Sequence, residues 1–156
     1  MRHSYLVVLL FFIFSTKITA EIKSGTCVPY YVSLKSNKIN AHVGPGKDYK
    51  IKYVYIQKGL PVAVVAKYDT WRKIKDPDGE EGWMHKSLLS TKRFVISNRE
   101  ALLMSHSNDS SHVVAKITKN VVMELKAVRG NWIKVSISHS DEKFEGWVKN
   151  ENVFGI

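Results

Sequence analysis

Two segments of the chain place a tryptophan beside lysines, and this combination is the clearest candidate for chemistry in the sequence. In the first segment Trp71 precedes Lys73 and Lys75, and in the second segment Trp132 precedes Lys134. A tryptophan ring offers a large apolar face that also attracts cations, and lysine ammonium groups attract carboxylates. The pattern therefore indicates a binding surface for a peptide or sugar that carries carboxylates.

Strand alternation decides which side chains can share this surface. If Ile74, Ile133 and Val135 face a core, the tryptophans and lysines of both segments lie on the outer face, because alternate side chains point to opposite sides. Trp71 could instead cover the mouth of a barrel or a junction between domains. Five further candidates for the first segment's surface are Asn40, His42, Tyr49, Tyr53 and Tyr55. Since one face of the tyrosine-bearing strand must supply core, not all three tyrosines can contact a ligand.

Catalytic and metal-binding patterns are not recognisable in the sequence. The histidines lack the H-x-H and H-E-x-x-H spacings that are typical of metal sites. The serines of residues 105–111 lack a nucleophile-elbow frame. Glu80 and Glu81 are adjacent in a strand edge, so they point to opposite faces and cannot flank one scissile bond. We therefore expect a protein that is not an enzyme and that carries no metal or cofactor.

The two segments belong to an internal repeat that uses all four tryptophans of the chain. Trp71-Arg72-Lys73-Ile74 returns 61 residues later as Trp132-Ile133-Lys134-Val135, and Gly82-Trp83-Met84 returns 64 residues later as Gly146-Trp147-Val148. A repeat of this length with short strands indicates a small β-domain copied in tandem. The larger second offset predicts a hairpin loop that is three residues longer in the second copy. Trp83 and Trp147, each beside a glycine, are expected to be structural.

Turn residues separate the short apolar runs, and no helical period is sustained. Asp76-Pro77-Asp78-Gly79 predicts a turn in which Asp76 bonds back to the backbone and Gly79 takes a positive φ. A first strand is expected from Val32. Short strands with such regular punctuation favour an all-β barrel or sandwich.

These residues resemble the bacterial SH3-like (SH3b) domain family. The first copy carries the family's frame, and it departs from that frame at Ala41 and His42. The matching residues are Asn40, Gly44-Pro45-Gly46, Lys58-Gly59, Trp71-Arg72-Lys73-Ile74 and Gly82-Trp83-Met84. The second copy matches only in its two tryptophan motifs, and its loop lacks Gly-Pro-Gly. The resemblance implies two tandem SH3-like β-barrels with a binding role, as found in exported cell-wall proteins.

The predicted organisation has four parts: a signal peptide at residues 1–20, a tail at 21–31, a first SH3-like domain at 32–91 and a divergent second domain at 92–156. Arg2 and His3 precede an apolar run from Leu6 to Phe14, and Ala20 is the expected cleavage position. The run is too short to span a bilayer and is typical of a signal helix, although an uncleaved anchor is the alternative. The junction has no Pro/Gly-rich linker, so close docking of the two domains is expected.

The net charge restricts the possible binding partners, and the cysteine content restricts the possible disulfides. The formal net charge is +10, and it becomes +8 without Arg2 and Lys17 of the signal peptide. This balance indicates anionic partners such as cell-wall polymers, lipid head groups or acidic proteins, unless it provides only solubility. Nucleic acid is not expected for an exported chain. The single cysteine, Cys27, excludes an internal disulfide.

The leading hypothesis is an exported, non-enzymatic binding protein of the periplasm, cell envelope or extracellular space. It would bind a peptidoglycan stem peptide or a similar envelope ligand through the first domain. One alternative is an envelope adaptor between proteins, in which the second domain serves as scaffold. Another alternative is charge-driven binding to anionic lipid or lipopolysaccharide, which salt would weaken.

Overall fold

The computed structural model describes residues 27–139 and 142–156, apart from the side chain of His139. The predicted signal peptide, residues 21–26 of the predicted tail and residues 140–141 lie outside these residues. The second tryptophan hairpin is three residues longer than the first, but the added residues extend its two strands, which pair as far as His139 and Glu142, so the prediction of a longer loop is wrong. Within the described residues, the regular structure consists of β-strands and two short 3-10 helices, Lys86–Leu88 and Asn150–Asn152. The prediction of an all-β chain is therefore confirmed for the part that the structure describes.

Seven antiparallel strands form the first sheet. They are β1 (Tyr30–Leu34), β2 (Ile39–His42), β3 (Ile51–Tyr55), β4 (Pro61–Tyr68), β5 (Trp71–Lys75), β6 (Glu81–His85) and β7 (Leu89–Ser90). Their order across the sheet is β3-β2-β6-β5-β4-β1-β7. β1 begins two residues before the predicted Val32, because Tyr30 and Tyr31 already pair with β4. The expected tail therefore ends earlier than predicted.

The second sheet repeats this topology strand for strand. Its members are β8 (Phe94–Ser97), β9 (Ala101–Met104), β10 (Val113–Ile117), β11 (Val122–Arg129), β12 (Trp132–His139), β13 (Glu142–Lys149) and β14 (Val153–Phe154). Their order is β10-β9-β13-β12-β11-β8-β14, so each strand occupies the place of the strand seven positions earlier. Two copies of one small barrel in tandem, as the tryptophan repeat predicts, are therefore confirmed.

Each barrel has its own apolar core, and strand alternation determines what remains outside. Ile74, Ile133 and Val135 are fully buried, as predicted. Their neighbours Trp71 and Trp132 are only half-buried. Both tryptophans therefore lie on the outer face of their sheets, where they can contact a ligand.

The glycine before the tryptophan in each closing strand allows a neighbouring strand to approach closely. A Cβ at Gly82 would lie 2.9 Å from the Cβ of Ala41 in β2. A Cβ at Gly146 would lie 2.7 Å from the carbonyl oxygen of Met104 in β9. Only glycine leaves room for these approaches, and they bring β2 and β9 beside the tryptophan strands.

The turn between β5 and β6 is built around one buried carboxylate. Asp76 Oδ1 accepts hydrogen bonds from the N–H groups of Asp78 and Glu80 at 3.0 and 2.9 Å. Gly79 has φ of +91° and donates its N–H to the Asp76 carbonyl. The predicted mechanism of this turn is confirmed, and it sets the register that places Trp71 opposite His85.

The two barrels dock directly onto each other. Ile96 of the second sheet packs into the core cluster of the first barrel. The ring of Tyr31 meets the ring of Phe154 edge to face, with centroids 5.2 Å apart. Ser33 Oγ also donates a hydrogen bond of 2.7 Å to the Lys92 carbonyl. The expectation of close docking is therefore confirmed.

Candidate binding site

A cavity of about 590 Å³ opens on the outer face of the first barrel. It lies where β2, β5, β6, the loop after β2 and the first 3-10 helix meet. Its lining residues are Lys38, Ile39, Asn40, His42, Lys47, Trp71, His85, Ser87 and Leu88. The volume is in the range of small-molecule sites in proteins. Three of the predicted residues, Asn40, His42 and Trp71, come together here.

Two imidazole rings flank the Trp71 indole. The ring centroid of His42 lies 5.5 Å from that of Trp71, and the ring centroid of His85 lies 5.8 Å from it. Both pairs are edge to face, the arrangement that the quadrupole of an aromatic ring favours. Strand register produces this cluster, because Trp71 is opposite His85 and His42 is opposite Trp83. Three neighbouring strands therefore hold the indole in place.

The hydrogen bonds of the two histidines determine what each ring can offer a ligand. His42 Nδ1 lies 2.7 Å from the carbonyl oxygen of Tyr49, which can only accept, so this nitrogen carries the proton. His85 Nδ1 accepts from the N–H of Ser87, so this nitrogen carries none. In the neutral rings, Nε2 of His42 is therefore an acceptor and Nε2 of His85 is a donor. The two rings thus carry both complements of a peptide group, one acceptor and one donor.

The charge of the cavity is positive. Lys38 and Lys47 contribute to its lining, and none of its lining residues carries a carboxylate. Within the described part of the chain, neither lysine forms an ion pair. Their ammonium groups are therefore free to attract an anionic ligand.

Tyr49 supports the cavity from outside and does not line it. Its ring lies against Gly44 and Gly46, and a side chain at Gly44 would collide with it. Its carbonyl oxygen accepts the hydrogen bond that orients His42. The Gly-Pro-Gly loop thus positions Tyr49, and Tyr49 positions the imidazole.

Tyr53 and Tyr55 form a separate cluster with acidic side chains. The Tyr53 hydroxyl donates to Glu80, and the Tyr55 hydroxyl donates to Asp76 Oδ2 at 3.0 Å. Burial and the neighbouring Asp76 carboxylate raise the pKa of Tyr55 far above its ordinary value. These phenols hold the β5–β6 turn, and neither lines the cavity.

The two lysines that follow Trp71 also lie away from the cavity. Lys73 Nζ lies 2.5 Å from Glu81 Oε2, and this hydrogen bond and charge hold the pKa of Glu81 below its ordinary value. Lys75 is exposed near Gly79 at the turn. Trp71, Lys73 and Lys75 do share the outer face of β5, but the two lysines lie further along the strand, away from the cavity. The eight predicted residues therefore divide into two groups. The cavity group consists of Asn40, His42, Trp71 and the supporting Tyr49, and the turn group consists of Tyr53, Tyr55, Lys73 and Lys75.

Sequence reasoning missed four polar residues of the cavity: Lys38, Lys47, His85 and Ser87. His85 had a signal, because counting across the Asp76–Gly79 turn places it opposite Trp71. The other three come from a strand start, a loop and a 3-10 helix, whose approach depends on how the barrel closes.

The second barrel has a cavity of about 360 Å³ at the equivalent place. Its lining residues are Glu100, Ala101, Leu102, Met104, Asp109, Trp132, Lys149, Glu151 and Asn152. Trp132 is opposite Lys149, and Met104 is opposite Trp147, as in the pairs of the first barrel. The predicted Lys134 pairs with Glu145 at 3.7 Å and does not line this cavity. The geometry of the first cavity therefore recurs with different side chains.

Trp83 and Trp147 line neither cavity. In the described ranges, no group of three or more His, Cys, Asp and Glu side chains could hold a metal ion. Nor does any helix within those ranges have the length and apolar character needed to cross a bilayer. Cys27 is a free, exposed cysteine.

The family model described as "Bacterial SH3 domain" matches residues 35–91 and again residues 97–155. Each match falls on one barrel and includes its tryptophan-walled cavity. The chain therefore belongs to the bacterial SH3 domain family, and its barrels are a tandem pair of SH3-like domains.

Similar proteins include one curated relative from Bacillus subtilis (strain 168), named "Putative N-acetylmuramoyl-L-alanine amidase YrvJ". It is 23% identical over 98% of this chain, but the chain spans only 31% of that protein's length. Solved structures with similarity include NlpC2 from Trichomonas vaginalis, at 12% identity and a TM-score of 0.36, covering 81% of this chain and 48% of that one. An NlpC/P60 family protein from Bacillus cereus ATCC 10987 has 14% identity and a TM-score of 0.35, covering 80% and 55%. Because both TM-scores are below 0.5, these structures carry no weight in the assignment.

Proposed function

We propose that this chain is an exported, non-enzymatic protein of the cell envelope that binds peptidoglycan. Its ligand is a stem peptide with a free carboxylate, bound in the cavity around Trp71. The observation that carries this proposal is the pairing of an indole wall with two lysines and no lining carboxylate. The family and the amidase name of the Bacillus relative support a role at the cell wall.

Each part of the cavity has a role in this proposal. Lys38 and Lys47 attract the carboxylate of the stem peptide, and the apolar part of the peptide packs on the Trp71 ring. Nε2 of His42 accepts a peptide N–H, and Nε2 of His85 donates to a peptide carbonyl. An exchange of hydrogen bonds with water adds little net free energy, so these contacts orient the peptide more than they tighten it.

The test is co-sedimentation of the protein with purified peptidoglycan at low and moderate salt. Trp71→Ala and the double variant Lys38→Ala/Lys47→Ala should each weaken pelleting about tenfold or more. The matched control, Lys35→Ala/Lys58→Ala, removes two charges from the same barrel outside this cavity. It should pellet like the unchanged protein at moderate salt.

Other outcomes identify the alternatives. If pelleting is lost with salt and falls equally in both lysine double variants, overall charge explains the association, as for an anionic lipid or lipopolysaccharide. If the protein does not pellet at all, the ligand is not peptidoglycan. Crosslinking for an envelope protein partner then tests the adaptor function.

A further inference from the structure

We infer that the cavity around Trp132 is a binding site specific for a primary ammonium group. This inference concerns the second barrel alone and does not depend on the ligand proposed for the first. It rests on two observations: the two cavities lie at equivalent places in their barrels, and the side chains that line them differ in charge.

The charge of the second cavity is reversed relative to the first. Glu100, Asp109 and Glu151 line it, and Lys149 is its single lysine. Among the residues that the structure describes, Glu151 forms no ion pair, and Glu100 is paired only with Lys116. Carboxylates on the rim of an indole-walled cavity favour a cationic ligand, because the ring face and the anions attract the same charge.

The cavity already holds an ammonium group, which belongs to the chain itself. Lys149 Nζ lies 5.5 Å from the centroid of the Trp132 ring and 2.8 Å from Asp109 Oδ1. The hydrogen bond to Asp109 raises the pKa of Lys149 above its ordinary value. The first barrel has His85 at the position of Lys149, so this occupation is particular to the second barrel. Lys149 shows which chemical group these side chains accommodate.

An incoming ammonium can replace this internal one. The side chain of Asp109 is 75% exposed and that of Lys149 is 38% exposed. An ion pair with such exposure is weak, since water screens it and both side chains lose freedom to form it. The exchange replaces one ammonium by another on the same carboxylate and the same ring. The ligand class is therefore an unbranched amine, such as the side chain of a lysine or of another diamino acid.

The test uses the protein and two small probes of the same shape. Nα-acetyl-L-lysine N-methylamide carries the ammonium, and Nα-acetyl-L-norleucine N-methylamide has an uncharged alkyl chain in its place. Nuclear magnetic resonance resolves the indole N–H signals of the four tryptophans, which Trp→Phe variants assign. The lysine probe should shift the Trp132 signal in a saturable way and leave Trp71 unchanged. The norleucine probe should shift neither.

Variants of the internal lysine make the expectation quantitative. Lys149→Met keeps most of the aliphatic stem and removes the competing charge, so it should bind the lysine probe about threefold to tenfold more tightly. Lys149→Ala removes the same charge together with the aliphatic part of the side chain, so it should also bind the lysine probe more tightly than the unchanged protein does. Asp109→Asn in the Lys149→Met background should reverse the gain.

Two results would overturn the inference. In the first, the lysine probe leaves the Trp132 signal unchanged in both the unchanged protein and Lys149→Met. In the second, both probes shift that signal equally. A failure of the Trp71 cavity to bind peptidoglycan would leave this test intact, because the readout is the Trp132 signal alone.

Discussion

Exchanging a glycine and an alanine between two touching strands tests how the first cavity is positioned. Gly82→Ala places a methyl group 2.9 Å from the Cβ of Ala41, a distance that requires something to move. The next nearest atom is the His42 carbonyl oxygen at 3.6 Å, which is an ordinary contact. Removing the Ala41 methyl therefore removes the single severe clash, and Ala41→Gly/Gly82→Ala should restore the close approach of β2 to β6.

The expected changes in the free energy of unfolding follow from the typical costs of overpacking, of losing a buried methyl group and of placing a glycine in a strand. Overpacking a core contact costs about 1–3 kcal/mol, and replacing a strand glycine recovers about 0.5–1 kcal/mol, so Gly82→Ala should destabilise by about 1–2 kcal/mol. Ala41→Gly loses one buried methyl, about 0.8 kcal/mol, and gains a strand glycine, for a total of about 1.5 kcal/mol. In the double variant the methyl and glycine terms cancel. The double variant should therefore be about as stable as the unchanged protein, which makes it about 2.5–3.5 kcal/mol more stable than the two single losses added together would predict.

Amide hydrogen exchange is the appropriate assay, because it reports the two barrels separately within the intact chain. The slowest amides of β5 give the unfolding free energy of the first barrel, and those of β12 give that of the second. Indole N–H shifts of Trp71 in the same spectra show whether the cavity moves with β2. The Trp71 signal should move in Gly82→Ala and return in the double variant.

The second barrel supplies the matched control. A methyl at Gly146 would meet the Met104 carbonyl oxygen and the Leu103 side chain, both at 2.7 Å. Because the carbonyl remains when Leu103 is shortened, Leu103→Ala should not rescue Gly146→Ala. The reasoning is refuted if Gly82→Ala and Ala41→Gly are simply additive, or if Leu103→Ala rescues Gly146→Ala fully.

Two further predictions concern the carboxylate of the β5–β6 turn. Asp76→Ala removes the acceptor of three hydrogen bonds from a buried position, so urea unfolding should show that the free energy of unfolding falls by about 2–4 kcal/mol. Asp78→Ala is the control. If Asp76→Ala destabilises the protein no more than Asp78→Ala does, the role assigned to Asp76 is wrong. Tyr55→Phe should cost about 1 kcal/mol at neutral pH. Because the folded protein raises the pKa of Tyr55, the stabilisation is complete below the ordinary tyrosine pKa of about 10 and declines at higher pH. The difference between the unchanged protein and Tyr55→Phe, followed by urea unfolding, should shrink above about pH 10; a constant difference would show that the phenol does not titrate in this way.

The barrels and their duplication could be predicted from the sequence because their determinants are local or periodic. The Asp76–Gly79 turn follows from an aspartate that bonds to its own backbone and a glycine with a positive φ. The inward direction of Ile74 and Ile133 follows from strand alternation. Both glycine–tryptophan pairs could be found as a repeat, although the reason for each glycine, the approach of a distant strand, could not.

The residues that line the cavities could be predicted from the sequence only in part. Alternation correctly places Trp71, Lys73 and Lys75 on one face, but it does not say which end of that row meets other elements. Other strands and loops surround Trp71, whereas Lys73 pairs with Glu81 at the start of β6 and Lys75 stays exposed near the turn. Lys38 and Lys47 reach the cavity only because β2 and its loop fold beside β6.

The sequence by itself therefore determined the strands, the turns, the tandem repeat and the importance of tryptophan, since these depend on neighbours along the chain. Only the tertiary structure decided which polar groups surround each tryptophan, since they come from separate strands and loops. It also decided that the two equivalent cavities differ in charge. That reversal is spread over single substitutions far apart in the sequence, and it becomes a property of a site only when the barrel brings them together.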